Sequence, residues 1–458
     1  MRRWLAARMV AATVTGMDRK ECVAAGEKRR RNMVSKLVEK VKSLQEGNVL
    51  LLLLGLLGLG AWGLYRLYSP SFAFEPVSFW DNHRLFFHLF VGLCALLMAY
   101  VVGRKVSPEW ILRWRWAVPV LLGVLLLCQS SFFRGGFFHC WQHSLVWVPA
   151  ILIIILGMCQ ALAAMEVKAP VGEVTAGSRW LLWVKRFAML AALRMKRFAM
   201  LAAMIFFALV YPFFTIHTAS LSWLLFGVIS LTVLTACRNR RLGGWLAVVC
   251  VGLLSWCLRI NFMVERALSE GIIQEGFYND DMHVAIKRGG WFGCQDVFHV
   301  PPGYISAYQA WNLDFIFAWL CNQGGVLAGA LVMGLMGVLL TWAWSVVARQ
   351  TQTRRRALAA GCAAVLTMRS LLHLAINFEV VALMTMPFPF VTYGWWLLLL
   401  DGLLVGVLLS LNRTQPEAEV DEPASWQRQP VLGVQWGIGL LLLLFAVRML
   451  WLVVDYSR

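Results

Sequence analysis

Val49 to Tyr68 reads VLLLLLGLLGLGAWGLYRLY, twenty residues with a single charge, Arg66, near the end. As a helix at ~1.5 Å rise per residue, such a run is about 30 Å long, the thickness of a bilayer's hydrocarbon core. Runs of the same kind recur down the chain. They place eleven spans at 49–68, 85–102, 112–128, 144–164, 198–216, 219–236, 243–262, 315–347, 356–380, 387–411 and 431–454. The run 315–347 is long for one span and implies tilt or extension past the membrane. Of the 458 residues, 60% are hydrophobic and 14% charged, with a mean hydropathy of +0.67. A water-soluble core of this size would need polar surface that the sequence lacks. The period-two alternation of a membrane barrel is absent as well. The chain reads as an all-α polytopic integral membrane protein of about 10–11 transmembrane helices.

A net charge of +18, from 42 Lys and Arg against 24 Asp and Glu, raises the question of nucleic acid. The basic residues answer it, because they sit in short clusters between apolar runs rather than along one stripe. The first 48 residues are heavily basic, and alternate loops carry Arg104 and Lys105, then Arg179, Lys185 and Arg186, then Arg238 to Arg241, then Arg354 to Arg356. Positive charge stays inside, so the N-terminus is expected in the cytoplasm. No apolar run directly follows the first basic residues, so the tail is not read as a cleaved signal. The division that follows is a basic cytoplasmic tail (1–48), a transmembrane domain (49–412), a cytoplasmic linker (413–430) and a last span (431–454). One long outer loop, 263–313, separates helices 7 and 8.

Most of the eleven cysteines lie inside apolar runs, where they behave as small hydrophobes. Cys140 and Cys294 fall in expected outer loops, where a bridge is one option. KRFAMLAA occurs twice, at 185–192 and 196–203. The eleven-residue offset is about three helical turns. The repeat reads either as a tandem duplication without function or as a basic amphipathic helix on the lipid surface. No His, Cys and carboxylate cluster has metal-ligand spacing. No phosphate-binding glycine loop of Walker type is present.

The 263–313 loop carries six carboxylates, with Asp314 a seventh just past it, together with aromatics and the histidines His283 and His299, and it lacks low-complexity composition. Loops this long are usually functional. Asp314 stands where the loop re-enters the membrane, followed by Phe315, Ile316, Phe317 and Ala318. It suits either an N-cap of the next helix or a functional carboxylate facing a polar cavity. Inside the ninth expected span, 356–380, Arg369, His373 and Asn377 recur at i, i+4 and i+8, forming one polar stripe. The stripe reads either as interhelical hydrogen bonding or as the lining of a lipid-substrate groove. Arg369 and Asp401 lie at matching depths on consecutive spans. A lone charge at mid-bilayer costs ~2.5–3.5 kcal/mol on insertion scales, so the two are expected to pair.

Two blocks carry a resemblance. The first is Gly289, Gly290, Gly293, Gln295 and Pro301, then Asp314 to Ala318; the second is Asn377 followed by Phe388-Pro389-Phe390-Val391-Thr392-Tyr393-Gly394. They resemble the FtsW/RodA/SpoVE (SEDS) family of peptidoglycan glycosyltransferases, as does the plan of seven spans, a long outer loop and three spans. The chain departs from the family pattern at several places. His-Thr before the aspartate is Asn312-Leu313 here, a Glu-Glu pair after it is Asn322-Gln323, and a Lys after Gln is Asp296.

The resemblance implies a reaction in which an acceptor sugar hydroxyl attacks a lipid II donor and undecaprenyl diphosphate leaves. A hydroxyl is a poor nucleophile, so a positioned carboxylate helps as base, and Asp314 is the candidate catalytic residue. Arg266, Lys287 and Arg288 are the loop cations available to phosphates, although ordinary solvated loop charge accounts for them equally well. Pro301, His373, Asn377 and Tyr393 complete the candidate substrate-binding set. A divalent cation (Mg or Mn) or the Arg and Lys side chains would stabilise the leaving charge. The implied setting is the bacterial cytoplasmic membrane, with lipid II as substrate. The implied partners are a class B penicillin-binding transpeptidase and other divisome or elongasome membrane proteins, and no nucleic acid. Three other readings compete: a catalytically degenerate scaffold, a lipid-linked sugar flippase and an O-antigen ligase-like transferase.

Overall fold

The computed structural model describes residues 46–67, 79–113, 120–121, 142–166, 205, 218–237, 244, 248, 276–294, 315–378, 380, 386–414 and 425–456. The chain divides into two units, Met1–Asn48 and Val49–Arg458. The architecture of the second is built from α1 (Glu46–Leu67), α2 (Phe79–Lys105), α3 (Pro108–Arg113), α4 (Gln142–Glu166) and α5 (Thr218–Ala236). These are followed by α6 (Gly276–Gly289), α7 (Ile316–Arg349), α8 (Thr353–Asn377), α9 (Trp395–Arg413) and α10 (Ser425–Tyr456). Among the described residues all regular structure is helical, and six helices are long and apolar enough to cross a membrane. The spans expected at 112–128, 198–216 and 243–262, and the KRFAMLAA repeat, lie almost entirely outside the described residues.

α8 is the central helix, buried along nearly its whole length. It packs against α4, α5, α7 and α9. Helices in lipid gain little from a hydrophobic drive, so small residues that let backbones approach matter more. The closest pair is α2 with α9. Gly402 and Gly406 are four apart and lie against Ala95, Ala99 and Val102, so that a Cβ on Gly402 would land on the Ala95 carbonyl. α10 is built differently. It buries Val431, Ile438, Phe445 and Leu452, every seventh residue, and exposes Trp436, Leu440, Leu443, Leu444 and Trp451. The buried stripe runs antiparallel to α7, with Gln435 donating to the Thr341 carbonyl (3.1 Å) and Met449 beside Cys321.

One end of the bundle collects the C-termini of α2, α5, α7 and α9 with the N-terminus of α8. Three arginines open α8, where a helix N-terminus disfavours cations. Two of them reach sideways to carbonyls at neighbouring C-termini. Arg356 donates to Thr235 O (2.7 Å), and Arg355 donates to Thr414 O (3.1 Å) and pairs with Glu109. Arg413 meets the Arg104 carbonyl, Ser410 the Val106 carbonyl and Gln350 the Leu411 carbonyl. The last carbonyls of a helix have no partner of their own, and here three arginines, Ser410 and Gln350 supply one. Burial pushes the Glu109 carboxyl up, but the hydrogen bond and charge of Arg355 outweigh it and leave Glu109 below its ordinary range.

Three boundaries differ from the sequence expectation. The tenth expected span starts at Trp395 rather than 387, because Pro387 and Pro389 cannot donate helical hydrogen bonds. The stretch expected as linker, 413–430, is shortened by α10, which begins at Ser425. The loop 263–313, expected outside, contains a helix of its own, α6, that ends in a glycine turn. Cys294 at the end of that turn is a free thiol, and Cys140, its optional partner, lies outside the described residues.

Candidate functional site at the entry of α7

The other end of the bundle gathers the start of α7, the end of α8, the segment Met386–Gly394, the last turns of α1 and helix α6. α7 starts at Ile316, with Phe315 at its cap position and no side-chain cap of its own. Its first N–H groups therefore need partners from elsewhere. Asn377, from the last turn of α8, supplies one: its Oδ1 accepts the Ala318 N–H (3.0 Å), while its Nδ2 donates to His373 O (2.9 Å). Trp319 fixes the next turn by donating from Nε1 to the Gly63 carbonyl of α1 (3.0 Å). Phe315 to Leu320 are all buried.

The segment Met386–Gly394 crosses beside this turn without helical structure. His373 holds its start: Nδ1–H donates to Met386 O (2.5 Å), and the ring lies 4.9 Å from that of Phe388. Arg369 and Asp401 form the expected ion pair, fully buried. Asp401 does more than pair. Its Oδ2 accepts the N–H of Phe390 (3.2 Å), a residue at φ 62°. A bulky residue there costs ~1–3 kcal/mol unless its surroundings fix it, and the carboxylate does so.

Helix α6 is locked onto a break in α7. Gly325 has φ 68° and ψ −168° inside an otherwise helical run. The turn Gly290–Gly293 lies across it. Cys294 N–H donates to Asn322 O (2.8 Å) and Val326 N–H to Gly290 O (3.0 Å), which occupies groups the break releases. A Cβ at Gly289, Gly293 or Gly325 would collide with backbone. Side chains extend the lock. Arg66 Nε donates to Gln323 Oε1 (3.0 Å), Gln323 Nε2 to Asn322 Oδ1 (2.9 Å), and Asn322 Nδ2 to Ala285 O of α6 (3.0 Å). Lys287 of α6 faces Asp455 of α10 at 3.6 Å.

Of the candidate residues, Asp314, Arg266 and Pro301 lie outside the described residues, Asp314 being the neighbour in sequence of Phe315. His373 and Asn377 come together and are fully buried, each with a hydrogen bond inside the protein. Tyr393 is half-buried at the end of the crossing segment, Lys287 is half-buried against α10, and Arg288 is exposed on α6. Among the described residues no group of three His, Cys, Asp or Glu side chains is arranged to hold a metal ion. Sequence reasoning missed the Asn322–Gln323 relay and the glycine lock. The lock's signal was the Gly324-Gly325 pair inside an apolar helical run.

Fold and site together define a polytopic helical membrane protein with irregular backbone buried at one end of its bundle. The chain belongs to the FtsW/RodA/SpoVE cell cycle protein family, whose model matches residues 179–417. It is similar to the probable peptidoglycan glycosyltransferase FtsW of Halomonas elongata, 27% identical over 153 residues, covering 31% of this chain and 36% of that one. The alignment thus spans about a third of that relative's length. FtsW of Allochromatium vinosum is 25% identical over 327 residues, covering 63% of this chain and 79% of that one. A solved structure described as "Structural coordination of polymerization and crosslinking by a peptidoglycan synthase complex" contains a chain 16% identical, with a TM-score of 0.50 over 81% of this chain and 98% of that one. At that identity the likeness concerns the fold.

Proposed function

We propose that this protein polymerises lipid II into glycan strands at the outer face of the bacterial cytoplasmic membrane, with its N-terminus in the cytoplasm. The family match over 179–417 supports this reading. The single structural observation that carries it is the cross-braced first turn of α7, which directly follows Asp314 in the chain. The acceptor's 4-hydroxyl attacks the donor's anomeric carbon while the bond to undecaprenyl diphosphate breaks. Asp314 takes the hydroxyl proton, and the α linkage inverts to β. A diphosphate leaves without protonation, so one carboxylate suffices where a hydrolase uses two. Arg266, Lys287 and Arg288 balance the leaving charge. Pro301 and Tyr393 line the sugar-lipid path, while His373 and Asn377 hold the walls. A class B penicillin-binding transpeptidase is the partner that would cross-link the product.

The test is polymerisation of purified lipid II by the solubilised protein with its transpeptidase. Asp314→Asn is expected to insert and fold normally and to lose ~10²–10⁴-fold in rate, the usual loss on removing a general base. Rates within a few-fold of wild type would leave Asp314 without a chemical role, since Phe315 holds the cap position of α7. A wild-type protein without activity would favour a division or elongation scaffold, a reading motivated by the amides Asn322 and Gln323 where the resemblance has carboxylates.

A further inference from the structure

The turn locked onto Gly325 ends in two large side chains that touch little. Trp291 is 51% exposed and Phe292 82%, the latter the most exposed large hydrophobic residue among those described. Exposed aromatics on a mobile loop would mean little. This loop is held by two backbone hydrogen bonds and three glycine contacts, so its tip has a fixed depth.

That depth follows from α7. The helix has 34 residues, about 51 Å at ~1.5 Å each, against a core of ~30 Å. Counting about 20 residues up from Arg349, at the basic end, reaches the far edge of the core near Gly329. Gly325 lies four residues beyond, about 6 Å into the headgroup zone. Side chains nearby agree. Leu327 and Leu331 are exposed just below. Trp62 of α1 sits against Gly324, and Trp62 and Tyr65 are exposed at the same level. Trp451 of α10 is also exposed at this end. Such amphipathic rings favour the membrane interface. Arg288 is exposed just before the tip, at the level of lipid phosphates, beside Lys287, which faces Asp455.

We propose that Trp291 and Phe292 form an interfacial anchor that inserts into the glycerol and upper acyl region of the lipid leaflet at this end of the bundle, tying α6 to the membrane surface. The occupant is lipid rather than protein. Two side chains on a narrow turn are far from the ~800 Å² per partner of a stable interface, while the depth and the adjoining Arg288 match a phospholipid. The inference does not depend on the enzymatic reading.

The experiment places p-benzoyl-L-phenylalanine at position 292 of the full chain, reconstituted in phosphatidylethanolamine–phosphatidylglycerol vesicles. Irradiation and mass spectrometry follow. The same photoprobe at Trp436, exposed on α10, serves as the lipid-facing reference. Unchanged thermal melting shows that the tip substitution leaves the fold intact. The expected result is a peptide mass shift of one phospholipid at 292, attached near the glycerol end of the acyl chain. Absence of a lipid adduct at 292 while position 436 labels would overturn the proposal. An adduct at 292 to a second copy or to a co-purified protein would overturn it as well, and would assign the tip to a protein interface.

Discussion

At the basic end of the bundle, helix carbonyls are met by Arg355, Arg356, Arg413 and Gln350, long side chains that reach their partners from several helices at once. At the α7 entry the loose backbone groups, N–H as well as carbonyl, are met by Asn377, His373, Asn322 and Asp401, which are short and buried. The difference is one of redundancy. Arg355 and Arg413 are at least partly exposed and stay solvated, so losing either costs little, while Arg356 and Gln350 are buried beside them. A buried amide or carboxylate that holds irregular backbone has no substitute, because no water stands ready to replace it. The α7 entry is therefore expected to be brittle and the basic end tolerant at Arg355 and Arg413.

The largest effect expected is at the ion pair. Arg369→Met strands Asp401 in a fully buried place, and removing one partner of such a pair costs ~3–5 kcal/mol. In detergent the variant should show a much lower melting temperature or fail to accumulate. The double change Arg369→Met with Asp401→Asn should recover much of the loss, since Asn keeps an acceptor for the Phe390 N–H. Arg369→Met with Asp401→Leu should recover less. Equal recovery by the two doubles would mean that the Phe390 contact contributes nothing, which would weaken the contrast between the two ends.

A middle-sized effect is expected at the break. Gly325→Ala puts a Cβ where φ is positive and where the Trp291 and Phe292 backbone passes, a combination that costs ~1–3 kcal/mol. Hydrogen exchange read along the chain should rise in α6 and stay unchanged in α5. A change confined to α7 would show that α6 is held by side chains alone.

Much of this was legible in the sequence. The apolar runs fixed the class, and the described spans 49–68, 219–236 and 431–454 match α1, α5 and α10 within six residues at either end. The pairing of Arg369 with Asp401 was readable because an isolated charge at mid-bilayer is expensive enough to demand a partner. What sequence could not give was the use of each polar group. Asn377 looks the same as a groove residue or as a cap until the α7 backbone is seen beside it. The start of α9 was misread because the apolar run continues through Met386–Gly394, where hydropathy is silent about backbone that prolines and Phe390 force out of the helix. The role of Asn322 and Gln323 was hidden for the same reason: amides carry no depth penalty large enough to name their partners.

The smallest effect belongs to the basic end and checks its tolerance. Glu109 is partly exposed and pairs with Arg355 at the start of α8. For an exposed pair the contribution is ~0.2–1 kcal/mol. Arg355 holds the carboxyl below its ordinary value of 4.5, even though burial pulls it upward. A depressed acid stabilises the folded state above its unfolded pKa, and that contribution fades as the pH falls through the lower folded value. The melting difference between wild type and Glu109→Gln should therefore be small and flat from neutral pH down to about 5, then shrink below about 4. Arg355 keeps its bond to the Thr414 carbonyl in the variant, so the helix end remains capped. A loss at neutral pH as large as that of Arg369→Met would show that the basic end has no reserve of partners, and the two ends of the bundle would then be equally brittle.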